Sequence, residues 1–158
     1  KDSKKRIHLT CIGANNNPYF KKLNTKFNFN KLKIKMIRHM PYNKIFLIYQ
    51  NYDALIFPSL TEAFGYPILE SSINKIPILC SDLKVFKEIF NDGCFYFNPN
   101  SSRSILNTIN SFSLLNKSKI NQKIKKNYNK AKRLNLNYFA ENYYEMILKT
   151  LYIYDKKK

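Results

Sequence analysis

An α/β domain built on a parallel sheet of about five strands, flanked by helices and followed by a helical carboxy-terminal tail, is the fold class that this 158-residue sequence predicts. Three observations carry the prediction. Between Ile7 and Phe97, short apolar runs alternate with segments of helical length, and Pro, Gly, Asn or Asp bounds each run. Leu55, Ile56 and Phe57 are consecutive instead of alternating with polar residues, as in a strand covered on both faces of a parallel sheet. After Ser101 the strand signal stops and only helical patterns follow.

Taken in order, Ile7–Ile12 reads as a strand ending at Gly13. Asn15-Asn16-Asn17-Pro18 then offers an N-cap followed by proline, opening a helix to about Phe27. Ile34–Ile37 is the second strand, and Pro41–Tyr49 a helix with Ile45, Ile48 and Tyr49 on one face. Ala54–Phe57 is a strand stopped by Pro58, and Glu70 lies in a short helix after it. Ile76–Cys80 is a fourth strand, Leu83–Phe90 a helix, and Cys94–Phe97 a last strand closed by Asn98-Pro99-Asn100. Helices are predicted near Ser102–Phe112, Lys117–Arg133 and Asn137–Tyr154. The sequence contains no internal repeat.

Composition narrows the function classes. With 28 Lys and Arg against 10 Asp and Glu the net charge is +18, while a 44 % hydrophobic content excludes a disordered tail. This length suits one domain. The longest apolar runs, Ile45–Tyr49 and Ala54–Phe57, fall far short of the ~20 residues of a membrane span. Lys1–Arg6 leads into no long apolar run, so the expected location is cytoplasmic. Cys11, Cys80 and Cys94 cannot all pair with one another and show no C-x-x-C spacing; they read as reduced core residues. His8 and His39 have no carboxylate or cysteine at ligand spacing, so no metal is assigned.

The segment that carries chemistry runs from Pro58 to Glu70, at a strand-to-helix turn on the carboxyl edge of a parallel sheet, where open α/β folds place ligands. Gly65 permits close backbone approach, and the amides opening the next helix, that of Tyr66 included, favour an anion such as phosphate. Pro67 costs little in a first helical turn. Glu62 before the turn can accept from sugar hydroxyls, and Glu70 inside the helix can take a vicinal diol such as ribose. A phosphate between two polyols describes a nucleotide sugar. A hydrolase carboxylate pair suits the spacing less: eight residues of continuous helix span about 12 Å, against the ~5–9.5 Å of such pairs.

The pattern Pro58-Ser59-x-x-Glu62-Ala63-Phe64-Gly65-x-Pro67-x-Leu69-Glu70 resembles the signature of group 1 glycosyltransferases, the retaining family 4 with two Rossmann-like domains, the GT-B fold. Ile76–Asp82, Lys87-Glu88-Ile89, Asp92-Gly93 and Phe97–Asn100 follow in the family's order, and the strand before Arg38-His39-Met40 also fits. The resemblance implies that Glu62 contacts the transferred sugar, with Ala63, Phe64 and Gly65 nearby. It also implies that the Tyr66 amide touches the diphosphate, that Glu70 holds the ribose, and that Arg38, His39 and Met40 line the nucleobase. Retention in this family proceeds by front-face attack with the donor phosphate taking the acceptor proton, so neither a protein nucleophile nor a cofactor or metal is implied.

Two departures from the family pattern matter. The strand and the Gly-Arg…Lys loop that normally begin this domain, and the amino-terminal acceptor domain, have no counterpart here. Residues 1–158 are therefore expected to be a single donor-binding domain, incomplete at its amino terminus and inactive alone. At Asn74-Lys75 the family usually has glycine; Lys in a left-handed conformation there would cost about 1 kcal/mol.

Charge is the second signal. From Gly93 to Ala140 there is no acidic residue, while Arg103, Lys117, Lys119, Lys123, Lys125, Lys126, Lys130, Lys132 and Arg133 accumulate. Ile120, Ile124, Tyr128 and Ala131 form a stripe that would dock on the sheet and leave the lysines in solvent, available to anionic headgroups at the cytoplasmic membrane face. The sequence reading is the donor half of a Rossmann-like retaining transferase whose partners are a nucleotide sugar and a glycan or lipid-linked acceptor. The alternatives are a non-catalytic partner domain of a transferase and a basic module for nucleic acid or membrane. No nucleic-acid motif supports that last reading.

Overall fold

The structure, a computed structural model, describes residues 7–13, 32–37, 40–134 and 136–155. The helix expected over residues 15–27, and Arg38 and His39, lie outside the described residues. The chain divides into two compact units, residues 1–48 and 49–158.

In the first unit β1 (Ile7–Ile12) and β2 (Leu32–Ile37) pair in parallel, from Ile7 opposite Leu32 to Ile12 opposite Ile37. The second strand begins two residues before its predicted start because Leu32 and Lys33 continue the ladder. The Gly13 amide extends the pairing, donating to the Ile37 carbonyl at 3.1 Å. Helix α1 (Tyr42–Ile48) opens on the Pro41 carbonyl, which accepts from Lys44 and Ile45.

The second unit holds β3 (Leu55–Phe57), α2 (Tyr66–Ile73), β4 (Ile78–Ser81), α3 (Lys84–Phe90), β5 (Phe95–Phe97), α4 (Ser102–Leu114), α5 (Lys117–Arg133) and α6 (Leu136–Asp155). A one-turn 3₁₀ segment, Tyr49–Asn51, precedes β3. All five expected strands form and every pair is parallel, in a β1-β2 ladder in the first unit and a β3-β4-β5 ladder in the second. Strand β4 is central in its ladder, and its four residues are all buried. It starts at Ile78, since Pro77 has no amide to donate; the Pro77 carbonyl instead accepts from Leu55 at 2.9 Å.

Ile68, Ile78, Cys80, Phe86, Phe90 and Cys94 form the core of this unit, with Leu55, Phe57 and Tyr96 packed against it. Phe86 is wholly buried and sits 5.8 Å, centroid to centroid, from Phe57. Burying a side chain of this kind contributes roughly 1.5–3 kcal/mol. The outer edge of β5 is covered by hydroxyls of α4: Thr108 donates to the Tyr96 carbonyl at 3.3 Å, and the Asn98 amide donates to Ser104 at 3.0 Å. Such side-chain cover protects an edge strand from mispairing.

Helix α5 packs chiefly on α2, α3 and the turn Asn91–Gly93, not on the sheet as expected, and its most buried residues are Asn127 and Ala131. Lys123 is half-buried, a correction to the expectation of lysines in solvent, whereas Lys126 is exposed as expected. The Lys123 ammonium donates to the carbonyls of Asp92 and Cys94, the latter at 3.2 Å, and Lys126 pairs with the Asp92 carboxylate. Spaced at i, i+3 and i+4, Lys123, Lys126 and Asn127 share one side of the helix and grip the turn before β5. Among the described residues no helix is long and apolar enough to cross a membrane.

Candidate functional site

Strand β3 ends at Phe57, whose carbonyl accepts from Ser81 at 3.5 Å, and the chain then turns through 58–65 into α2. Gly65 sets the turn: its φ of 87° is left-handed, and a Cβ there would lie 2.6 Å from Cε1 of the buried Phe86. Both the conformation and the close approach exclude a side chain. Tyr66 and Pro67 open the helix, and the amides of Ile68 and Leu69 both turn back to the Gly65 carbonyl, at 2.9 and 3.4 Å. Pro67 has no amide, so Tyr66 carries the foremost N–H of this helix end, where the macrodipole favours an anion. The Tyr66 ring is exposed and stands 5.4 Å from that of Phe64.

The two glutamates occupy different environments. Glu62 is exposed in the loop, and its Oε1 accepts from the Ser59 hydroxyl at 3.0 Å; the same hydroxyl lies 2.9 Å from the Thr61 carbonyl. Glu70 is only 9 % exposed, which a solvated surface acid on a helix would not be. Its Oε2 accepts from the Tyr49 hydroxyl at 3.0 Å. Ser59 was within reach of sequence reasoning, being three residues from Glu62 in a turn, but Tyr49, 21 residues from Glu70, carried no such signal.

Of the remaining site residues the sequence predicts, Ala63 is exposed and Phe64 half-buried beside Gly65. Met40 is half-buried in the first unit, while Arg38 and His39 lie outside the described residues. His8 is an exposed strand residue. Cys80 and Cys94 are buried free thiols, and a hydrogen bond between them, together with burial, pushes Cys80 far up, so it stays protonated in the core. Among the described residues no three His, Cys, Asp or Glu side chains converge. A groove of about 450 Å³ between β5 and α4, lined by Tyr96, Arg103, Asn107 and Ser111 among others, includes no residue of the 58–70 segment.

Asn74 keeps a right-handed φ of −77°, and Lys75 takes the left-handed position at φ 58°. The Lys75 amide donates to Ser72 and the Ile76 amide to Ser71, which is the Schellman pattern. The Lys75 ammonium lies 4.8 Å from the centroid of the Tyr128 ring on α5, a cation–π contact that offsets part of the strain.

Residues 1–131 match the family described as "Glycosyl transferases group 1". The O-antigen chain mannosyltransferase RfbU of Salmonella typhimurium is 32 % identical over 74 residues, covering 47 % of this chain and 21 % of that protein. The serotype-specific mannosyltransferase WbdA of Escherichia coli is 30 % identical over 113 residues, covering 64 % of this chain and 14 % of that protein. The catalytic domain of starch synthase IV from Arabidopsis thaliana, a structure bound to ADP and acarbose, superposes with a TM-score of 0.63 at 11 % identity, covering 94 % of this chain and 38 % of that one. The matched regions thus span about a fifth or less of these two mannosyltransferases.

Proposed function

Because the chain belongs to the group 1 glycosyltransferases, we propose that it supplies the donor-binding part of a retaining transferase, which moves a sugar from a nucleoside diphosphate to a glycan or lipid-linked acceptor. One observation carries the reading: a buried carboxylate, Glu70, stands one turn inside a helix whose first amide and left-handed glycine form an anion-accepting end. In this reading Glu70 takes the ribose diol, the Tyr66 amide takes the diphosphate, and Glu62, in the loop with Ala63, Phe64 and Gly65, orients the sugar. Catalysis is positional and electrostatic, with fixed dipoles facing the leaving diphosphate, and it needs no metal.

The acceptor site belongs to a further domain, on the same polypeptide or a partner. The mannosyl transfer named for RfbU and WbdA makes a mannose-bearing nucleotide the first donor to test. The exposed cations Lys119, Lys125, Lys130 and Arg133 on α5 would hold the protein at an anionic cytoplasmic membrane face, worth ~1 kcal/mol per residue near the surface.

Saturation-transfer NMR of the chain with GDP-mannose, UDP-glucose and ADP-glucose tests the reading. Transfer to the ribose and sugar protons of one of them is the expected result. Silence with all three removes the donor-site reading.

A further inference from the structure

Glu70 is not an isolated acid. Its Oε2 accepts from Tyr49 at 3.0 Å, and Tyr49 Oη also lies 3.4 Å from the Pro67 carbonyl in the first turn of α2. The hydroxyl has one proton, and the 3.0 Å contact to a carboxylate is the better acceptor. Tyr49 sits in the 3₁₀ turn before β3 and is itself half-buried, so one ring ties the approach to β3 to the first helix of the site.

The terminal torsion of a glutamate is broad, and both oxygens of an unheld carboxylate sample many orientations. A vicinal diol needs two acceptor positions at fixed separation and angle. A donor anchored on Oε2 restricts the rotation and consumes one of the roughly four lone-pair positions of the carboxylate.

We propose that Tyr49 is a positioning residue for this site: its hydroxyl orients the Glu70 carboxylate to receive both hydroxyls of a ribose, making the site selective for ribonucleotides over 2′-deoxyribonucleotides. The inference rests on the donor-site reading above and adds a residue and a selectivity to it. Tyr49 does not touch the ligand and acts through Glu70.

The experiment is a double-mutant cycle read as a selectivity ratio. The Kd values of GDP, UDP and ADP and of their 2′-deoxy counterparts are measured by calorimetry for the 158-residue chain and for Tyr49→Phe, Glu70→Ala and the double variant. Wild type is expected to prefer one ribonucleotide over its deoxy form by about tenfold, the loss of one hydrogen bond to a charged group. Tyr49→Phe, which keeps the ring, should reduce that ratio several-fold with the thermal midpoint nearly unchanged, and should change nothing further on Glu70→Ala.

An unaltered ratio in Tyr49→Phe, with wild type selective, overturns the role of Tyr49 and leaves the donor site standing. Wild type that binds nucleotide without selectivity removes the ribose role of Glu70, and the role of Tyr49 with it. Failure of wild type to bind any of the nucleotides overturns the donor-site reading itself. A merely structural tyrosine would lower affinity for both members of each pair equally.

Discussion

Asn127 on α5 donates its Nδ2 to the Gly93 carbonyl at 3.0 Å, and a methyl on Gly93 would fall 1.7 Å from Asn127 Oδ1. Gly93 is therefore required for space and not for a left-handed backbone. Gly93→Ala should destabilise the protein by about 2–3 kcal/mol through overpacking. In the Asn127→Ala background the same change should cost much less, so the two substitutions should be strongly non-additive in urea melts. Equal costs in both backgrounds would contradict the contact.

Gly65 presents the opposite combination, a left-handed φ of 87° together with the Phe86 ring 2.6 Å from any added Cβ. Phe86 is fully buried and has nowhere to retreat. Gly65→Ala should lower stability by about 2 kcal/mol or more from backbone strain and overpacking together. It should also shift the loop that carries Ala63 and Phe64, so nucleotide binding should weaken further than Ala63→Ser weakens it.

Lys75 sets two opposed terms at one residue. Replacing it with glycine relieves about 1 kcal/mol of left-handed strain and gives up a cation–π contact of about 0.5–1 kcal/mol with Tyr128. Lys75→Gly should be near neutral in wild type and clearly stabilising in a Tyr128→Leu background. Lys75→Ala keeps the strain and loses the contact, so it should be the less stable of the two variants by thermal denaturation.

A hydrogen bond from the Lys126 ammonium holds the Asp92 carboxyl below the ordinary carboxylate range. With the folded value depressed, the contribution of this pair is fully present above the unfolded value of about 3.9, and it is lost as pH falls from there through the folded value. In Lys126→Gln the Asp92 titration, followed by carboxyl carbon NMR, should move back up toward that ordinary value. An unchanged Asp92 would show that Lys126 does not hold it in solution.

Much of this was legible in the sequence. The run Leu55-Ile56-Phe57 marked a strand, and Gly65 with Pro67 marked the turn into α2, because these residues act through local backbone preferences. The bounds of α5 also follow from its sequence, with Asn116 as the cap that accepts from Lys119 at 2.9 Å. What was not legible depends on distant partners. The Tyr49–Glu70 contact, the grip of Lys123 on the Asp92 and Cys94 carbonyls and the burial of Asn127 join residues 21 to 34 positions apart.

In the proposed site the buried Glu70, on the helix that Gly65 opens, holds the ribose of a nucleotide donor. The most direct test of that role is the Kd of GDP-mannose, or of whichever donor gives saturation transfer, for wild type and for Glu70→Ala. At least a tenfold loss of affinity is expected in the variant, the equivalent of about 1.4 kcal/mol, with the thermal midpoint largely retained. An unchanged Kd in a folded Glu70→Ala would contradict it.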